Sequence, residues 1–86
     1  MNNRIFEIDE NSQLVIKETG EPIPSGEPIF ILLGRDCQAP CTIRVYQSLM
    51  TPMSEGWKTI QDVINDFMKF RKENPDLIVK PEEAYG

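Results

Sequence analysis

Three prolines, Pro22, Pro24 and Pro28, stand within seven residues and divide this chain into two regions of different patterning. Each fixes its own φ angle and lacks an amide proton, so residues 21–28 read as a stiff loop that joins no β-ladder. Before this loop the apolar residues are spaced as in strands. Beyond residue 36 they recur at helical spacing. That order predicts an α+β domain, strands first and helices after.

In residues 4–8, Phe6 and Ile8 fall on one face with the period of two that marks a half-buried strand. Residues 9–12 form a polar turn cluster. Leu14, Val15 and Ile16 then suit a second strand, antiparallel to the first, which Thr19 and Gly20 end. Beyond the prolines, Ile29, Phe30, Ile31, Leu32 and Leu33 run on without alternation. Such a run fits a third strand covered on both faces, at the centre of a sheet.

Asp36 is a good N-cap, and Pro40 fits the first turn of the helix that follows. That helix is expected to reach about Met50, with Ile43, Tyr46 and Leu49 or Met50 on its apolar face; Thr51 and Pro52 stop it. Ser54 and Glu55 open a second helix, in which Ile60, Val63, Ile64 and Phe67 make an amphipathic stripe. Lys69, Arg71 and Lys72 crowd its last turn, and Asn74 and Pro75 end it. Residues 76–80 read as a short edge strand, closing the sheet or pairing with a neighbouring subunit. The expected fold is a small, mainly antiparallel sheet of order β-β-β-α-α with two helices packed on one face. Residues 1–80 make a single domain, and residues 81–86 a solvated tail.

Eighty-six residues bury only roughly 60–65% of the surface of the unfolded chain, so stability is marginal and self-association is the expected supplement. Disulfide support is not expected: Cys37 and Cys41 stand four apart in what reads as one helix, where bridging geometry is poor. The first residues lack the apolar core of a signal peptide, and the longest apolar run is too short to span a bilayer. The expected location is the cytosol, away from membranes. A net charge of −5 argues against duplex nucleic acid as a partner. Residues 37–72 nevertheless carry five basic against three acidic side chains, enough to hold a small anion.

Enzymatic chemistry finds little support. The chain has no histidine, which removes histidine triads, and two thiols alone do not complete a zinc site. The five glycines are isolated, so neither a phosphate loop nor a dinucleotide fingerprint is present. Asp62 and Asp66 lie one helical turn apart and read as a solvated face; Asp9, Asp36, Asp62 and Asp66 offer no spacing that singles out a metal-binding pair. No cofactor is expected. Cys37 and Cys41 read as small buried hydrophobes rather than reactive thiols.

The best candidate site is the strand-to-helix corner. Gly34 permits a tight turn, Arg35 offers a forked cation, and the helix after Asp36 begins with unpaired amides, a combination suited to an anion. Gln38, Arg44 and Gln47 extend the site along the helix, and Trp57 offers a ring for stacking. The plainer alternatives are Arg35 paired with a nearby acid, Asp36 acting only as a cap, and Trp57 in the core.

Ile23, Pro24, Glu27, Pro28, Phe30, Leu32, Asp36, Ala39, Pro40, Ile43, Arg44 and Tyr46 together resemble a short block of small phage and prophage proteins without established activity. The resemblance covers about a quarter of the chain and implies a phage origin. Small phage accessory proteins frequently block host defence. The expected function is therefore a non-catalytic accessory binding protein. One form is an oligomeric sponge, a dimer or larger, that sequesters a phosphate-bearing nucleotide immune signal. The alternative is an inhibitor or adaptor that binds a host protein in the host cytosol.

Overall fold

Asp9 sets the first turn of the chain through its side chain. In the computed structural model, which describes residues 5–86, its Oδ1 accepts the amide protons of Asn11 and Gln13, each at 2.9 Å. Ser12 occupies the left-handed region at φ 61°. This Asx-type turn joins β1 (Phe6–Ile8) to β2 (Leu14–Ile16), which pair antiparallel with Phe6 opposite Ile16 and Ile8 opposite Leu14. Arg4, expected to begin the first strand, lies outside the described residues. Both strands and the turn between them stand at the expected residues, but the buried face is that of Val15 and not, as the alternation of Phe6 and Ile8 suggests, that of Ile8.

The proline loop differs from expectation. Gly20, at φ +73°, turns the chain back along β2, and Val15 and Pro22 form an isolated antiparallel bridge. Pro22 needs no amide proton there. The bonds come from its neighbours: the Ile16 amide donates to the Glu21 carbonyl at 2.8 Å and the Ile23 amide to the Leu14 carbonyl at 3.0 Å. A proline is tolerated on an edge because its missing donor faces away from the ladder. Val15 is fully buried, while Ile8 on the opposite face is exposed.

Residues 29–33 form no strand, so among the described residues the sheet has two strands instead of three. Ile29, Phe30 and Ile31 are exposed, Phe30 to 79%. A short unalternating apolar run carries no information about which partner covers it. The chain divides near this point into two compact units, one up to Phe30 and the other from Ile31 onward.

The second unit is an αα-hairpin of α1 (Ala39–Ser48) and α2 (Glu55–Glu73). For α2 the sequence reading holds in detail. Ser54 Oγ accepts the Trp57 amide at 3.2 Å, Glu55 complements the first turn, and Arg71 and Lys72 lie in the last. Asn74 closes the helix, its backbone amide donating to the Phe70 carbonyl. Ile60 and Ile64 are buried, and Val63 and Phe67 half-buried.

The start and the packed face of α1 are both displaced from expectation. Gln38, not Asp36, is the N-cap, and it makes no side-chain cap bond. The inward face is Ala39, Pro40, Ile43 and Gln47, whereas Tyr46 and Leu49 point outward. The i, i+4, i+8 series through residues 39, 43 and 47 is a proper helical stripe, but its third member is polar, which hides it from an apolar count.

Residues beyond α2 continue as a 3-10 turn (Pro75–Leu77) and a short helix, α3 (Pro81–Ala84). Of the segment expected as an edge strand, Val79 alone pairs, forming a parallel bridge with Asp36 of the same chain. The stretch read as a solvated tail contains the buried Ala84 and a hydrogen-bonded Tyr85. Among the described residues no helix is long and apolar enough to cross a membrane.

Candidate functional site

The corner between residue 33 and α1 is held by the C-terminal segment. The Cys37 amide donates to the Val79 carbonyl and the Val79 amide to the Arg35 carbonyl, both at 2.9 Å. Asp36, 3% exposed, accepts the Gln38 amide on Oδ1 at 2.9 Å and the Tyr85 hydroxyl on Oδ2 at 2.8 Å. The same hydroxyl accepts the Leu33 amide at 3.1 Å. Arg71, on α2, donates from Nη2 to the Cys37 carbonyl at 2.5 Å. The amides of Cys37, Gln38 and Ala39 are thus all used within the chain, Ala39 by the Asp36 carbonyl at 3.1 Å. An anion site made of free helix-terminal amides requires those donors, and here they serve the fold.

The sequence-selected residues separate accordingly. Asp36 is a buried structural acceptor. Gln47, 4% exposed, donates from Nε2 to the Trp57 carbonyl and to Gln61 Oε1, each at 3.1 Å, and so ties α1 to α2. Both of its amide protons have partners, and it offers none to a ligand. Trp57 is half-buried at the start of α2. Gln38 and Arg44 are exposed on α1, and Arg35 is exposed beside the corner. Gly34 is explained by proximity: a Cβ there would stand 3.2 Å from Cδ1 of Phe70. The absent side chain lets the turn lie against that ring.

Arg35 lines a groove of about 330 Å³ with Phe70, Asp76, Leu77, Val79 and Glu83. Its guanidinium makes no ion pair or hydrogen bond among the described residues. Only Arg35 of this set was selected from the sequence. The others come from the end of α2, the 3-10 turn, the bridge and α3, and no spacing rule links them. Among the described residues no three His, Cys, Asp or Glu side chains gather as for a metal ion. Cys37 is half-buried, Cys41 exposed, and both are free thiols.

Partial burial raises the Tyr85 hydroxyl above its ordinary 10.0; the Leu33 amide works against this, and the bond to and charge of Asp36 add to it. A phenol whose folded value is raised contributes stability that is complete below its unfolded value and is lost as pH climbs through the folded one. In a Tyr46→Phe variant, where Tyr85 is the remaining tyrosine, tyrosinate absorbance should therefore rise later than in the urea-unfolded chain. Coincident folded and unfolded titrations would contradict the contact.

Compared with known proteins, the chain matches no family model, no curated protein and no solved structure.

Proposed function

We propose that this chain is a non-catalytic accessory protein of phage type that acts by binding a host protein through the outer face of α1. One observation carries the reading. Val45, Tyr46, Leu49 and, in the following loop, Met53 are all exposed, Val45 to 65% and Leu49 to 81%. Their spacing places them along one side of the helix and past its end. Arg44 is the sole charged side chain of α1. A contiguous apolar patch of this kind is a common mark of a protein contact, and helical anchors at such spacing fit an apolar groove. The favoured partner is an apolar groove with an acidic rim that meets Arg44.

The nucleotide-sequestering reading has less behind it. It keeps the free Arg35 guanidinium, but the corner amides are consumed, and Asp76 and Glu83 beside Arg35 oppose a phosphate.

Val45→Glu combined with Leu49→Glu tests the proposal, since both positions face solvent and the fold should persist by circular dichroism. A host protein retained by the unaltered chain should form a stoichiometric complex when both are purified, and the substitutions should weaken it at least ~100-fold, the effect of losing two anchor contacts. A retained protein indifferent to both changes would overturn the assignment. So would a homodimer, seen by light scattering and dissociated by the same substitutions, because a second copy would then occupy the face.

A further inference from the structure

We propose that the groove beside Arg35 binds a small zwitterion with an apolar side chain, of the α-amino-acid class. This site is separate from the α1 face. Its walls are fixed by contacts already described: the Asp36–Val79 bridge sets Arg35 beside Val79, and the Gly34 turn lies against Phe70. Tyr85, bonded to Asp36, anchors the chain just beyond α3 and Glu83. A groove held by backbone pairing is formed before any ligand arrives.

Its chemistry is divided. Phe70 and Val79 are half-buried and Leu77 is exposed, which gives an apolar surface. Arg35 supplies a forked donor with no partner, suited to a carboxylate. Asp76 and Glu83 supply acceptors suited to an ammonium group. Two acidic side chains against one basic one disfavour a phosphate and any ligand that is only an anion. A ligand that carries both charges on a short apolar body satisfies all three parts of the groove at once. At about 330 Å³ the space is near the lower limit of small-molecule sites, which suits a single amino acid and little more.

Amide NMR with L-leucine, L-leucinamide, N-acetyl-L-leucine and inorganic phosphate separates the alternatives. Leucine, titrated into the millimolar range, should move the Gly34, Arg35 and Val79 signals saturably. Leucinamide lacks the carboxylate and N-acetyl-leucine lacks the ammonium, so each should bind at least ten-fold more weakly. Arg35→Gln should abolish the preference for leucine over leucinamide. Asp76→Asn with Glu83→Gln should abolish the preference over N-acetyl-leucine. All three positions are exposed, so an unchanged spectrum elsewhere certifies the fold. No saturable shift with leucine would overturn the proposal. Equal binding of N-acetyl-leucine would do so in favour of a peptide carboxy-terminus, and tighter binding of phosphate in favour of an anion site.

Discussion

Ile64→Ala is expected to lower the unfolding free energy of the helical unit by about 3–4 kcal/mol, the usual cost of emptying a fully buried aliphatic site. Ile64 is 0% exposed, and the apolar residues buried with it in that unit are few: Ala39, Pro40, Ile43, Ile60 and Ala84. So small a core cannot spread the cavity over many neighbours. A chain of this length has about 5–10 kcal/mol of stability in total, so the substitution removes a large share of it. Trp57 is the single tryptophan and lies in the helical unit, so its fluorescence in urea reports this unfolding. At ~1 kcal/mol per molar urea, the midpoint should fall by about 3 M, or the unit should already be open in buffer. Ile64→Val, which removes one methylene, should cost about 1 kcal/mol. A loss below about 1 kcal/mol for the alanine variant would show that the core lies elsewhere.

The second large effect is expected at the corner. Asp36→Ala removes the acceptor of both the Gln38 amide and the Tyr85 hydroxyl, two part-buried donors. Bonds to a carboxylate are worth about 1.5–3 kcal/mol each, and a net loss of roughly 3 kcal/mol follows. Tyr85→Phe removes the bond to Asp36 and the acceptor of the Leu33 amide but keeps the Gln38 bond, and should cost roughly 1–2 kcal/mol. The double variant should fall short of the sum of the two, because the Asp36–Tyr85 bond is lost in each single variant and only the Leu33 bond is lost anew. Strict additivity in urea unfolding would mean that the two side chains do not work together.

What the sequence disclosed depended on whether local chemistry or distant partners decided the outcome. The β1–β2 turn and the limits of α2 follow from Asp9, Ser54 and Asn74, each acting within four residues of itself. They were legible for that reason. Residues 29–33 were not, since an apolar run states only that burial is favourable and not that a neighbour is present. The proline loop misled in the opposite sense, because a ladder edge asks its donors of Ile16 and Ile23 and none of Pro22. At the candidate site, Arg35 was visible as a cation beside a turn. The burial of Asp36 was not, since it depends on Tyr85, 49 residues away. Gln47 looked like a ligand-facing amide by type, and its role between the helices appears only when Trp57 and Gln61 are placed against it.

The pairing of Asp36 with Val79 also bears on the order in which the helical unit assembles. Six residues separate α1 from α2, so those helices can dock as soon as both have been made. The corner must wait for Val79 and Tyr85, whose contacts span most of the unit and carry a larger loop-closure entropy. The docked helices are therefore expected to precede the closed corner, which would make the groove a late product of folding.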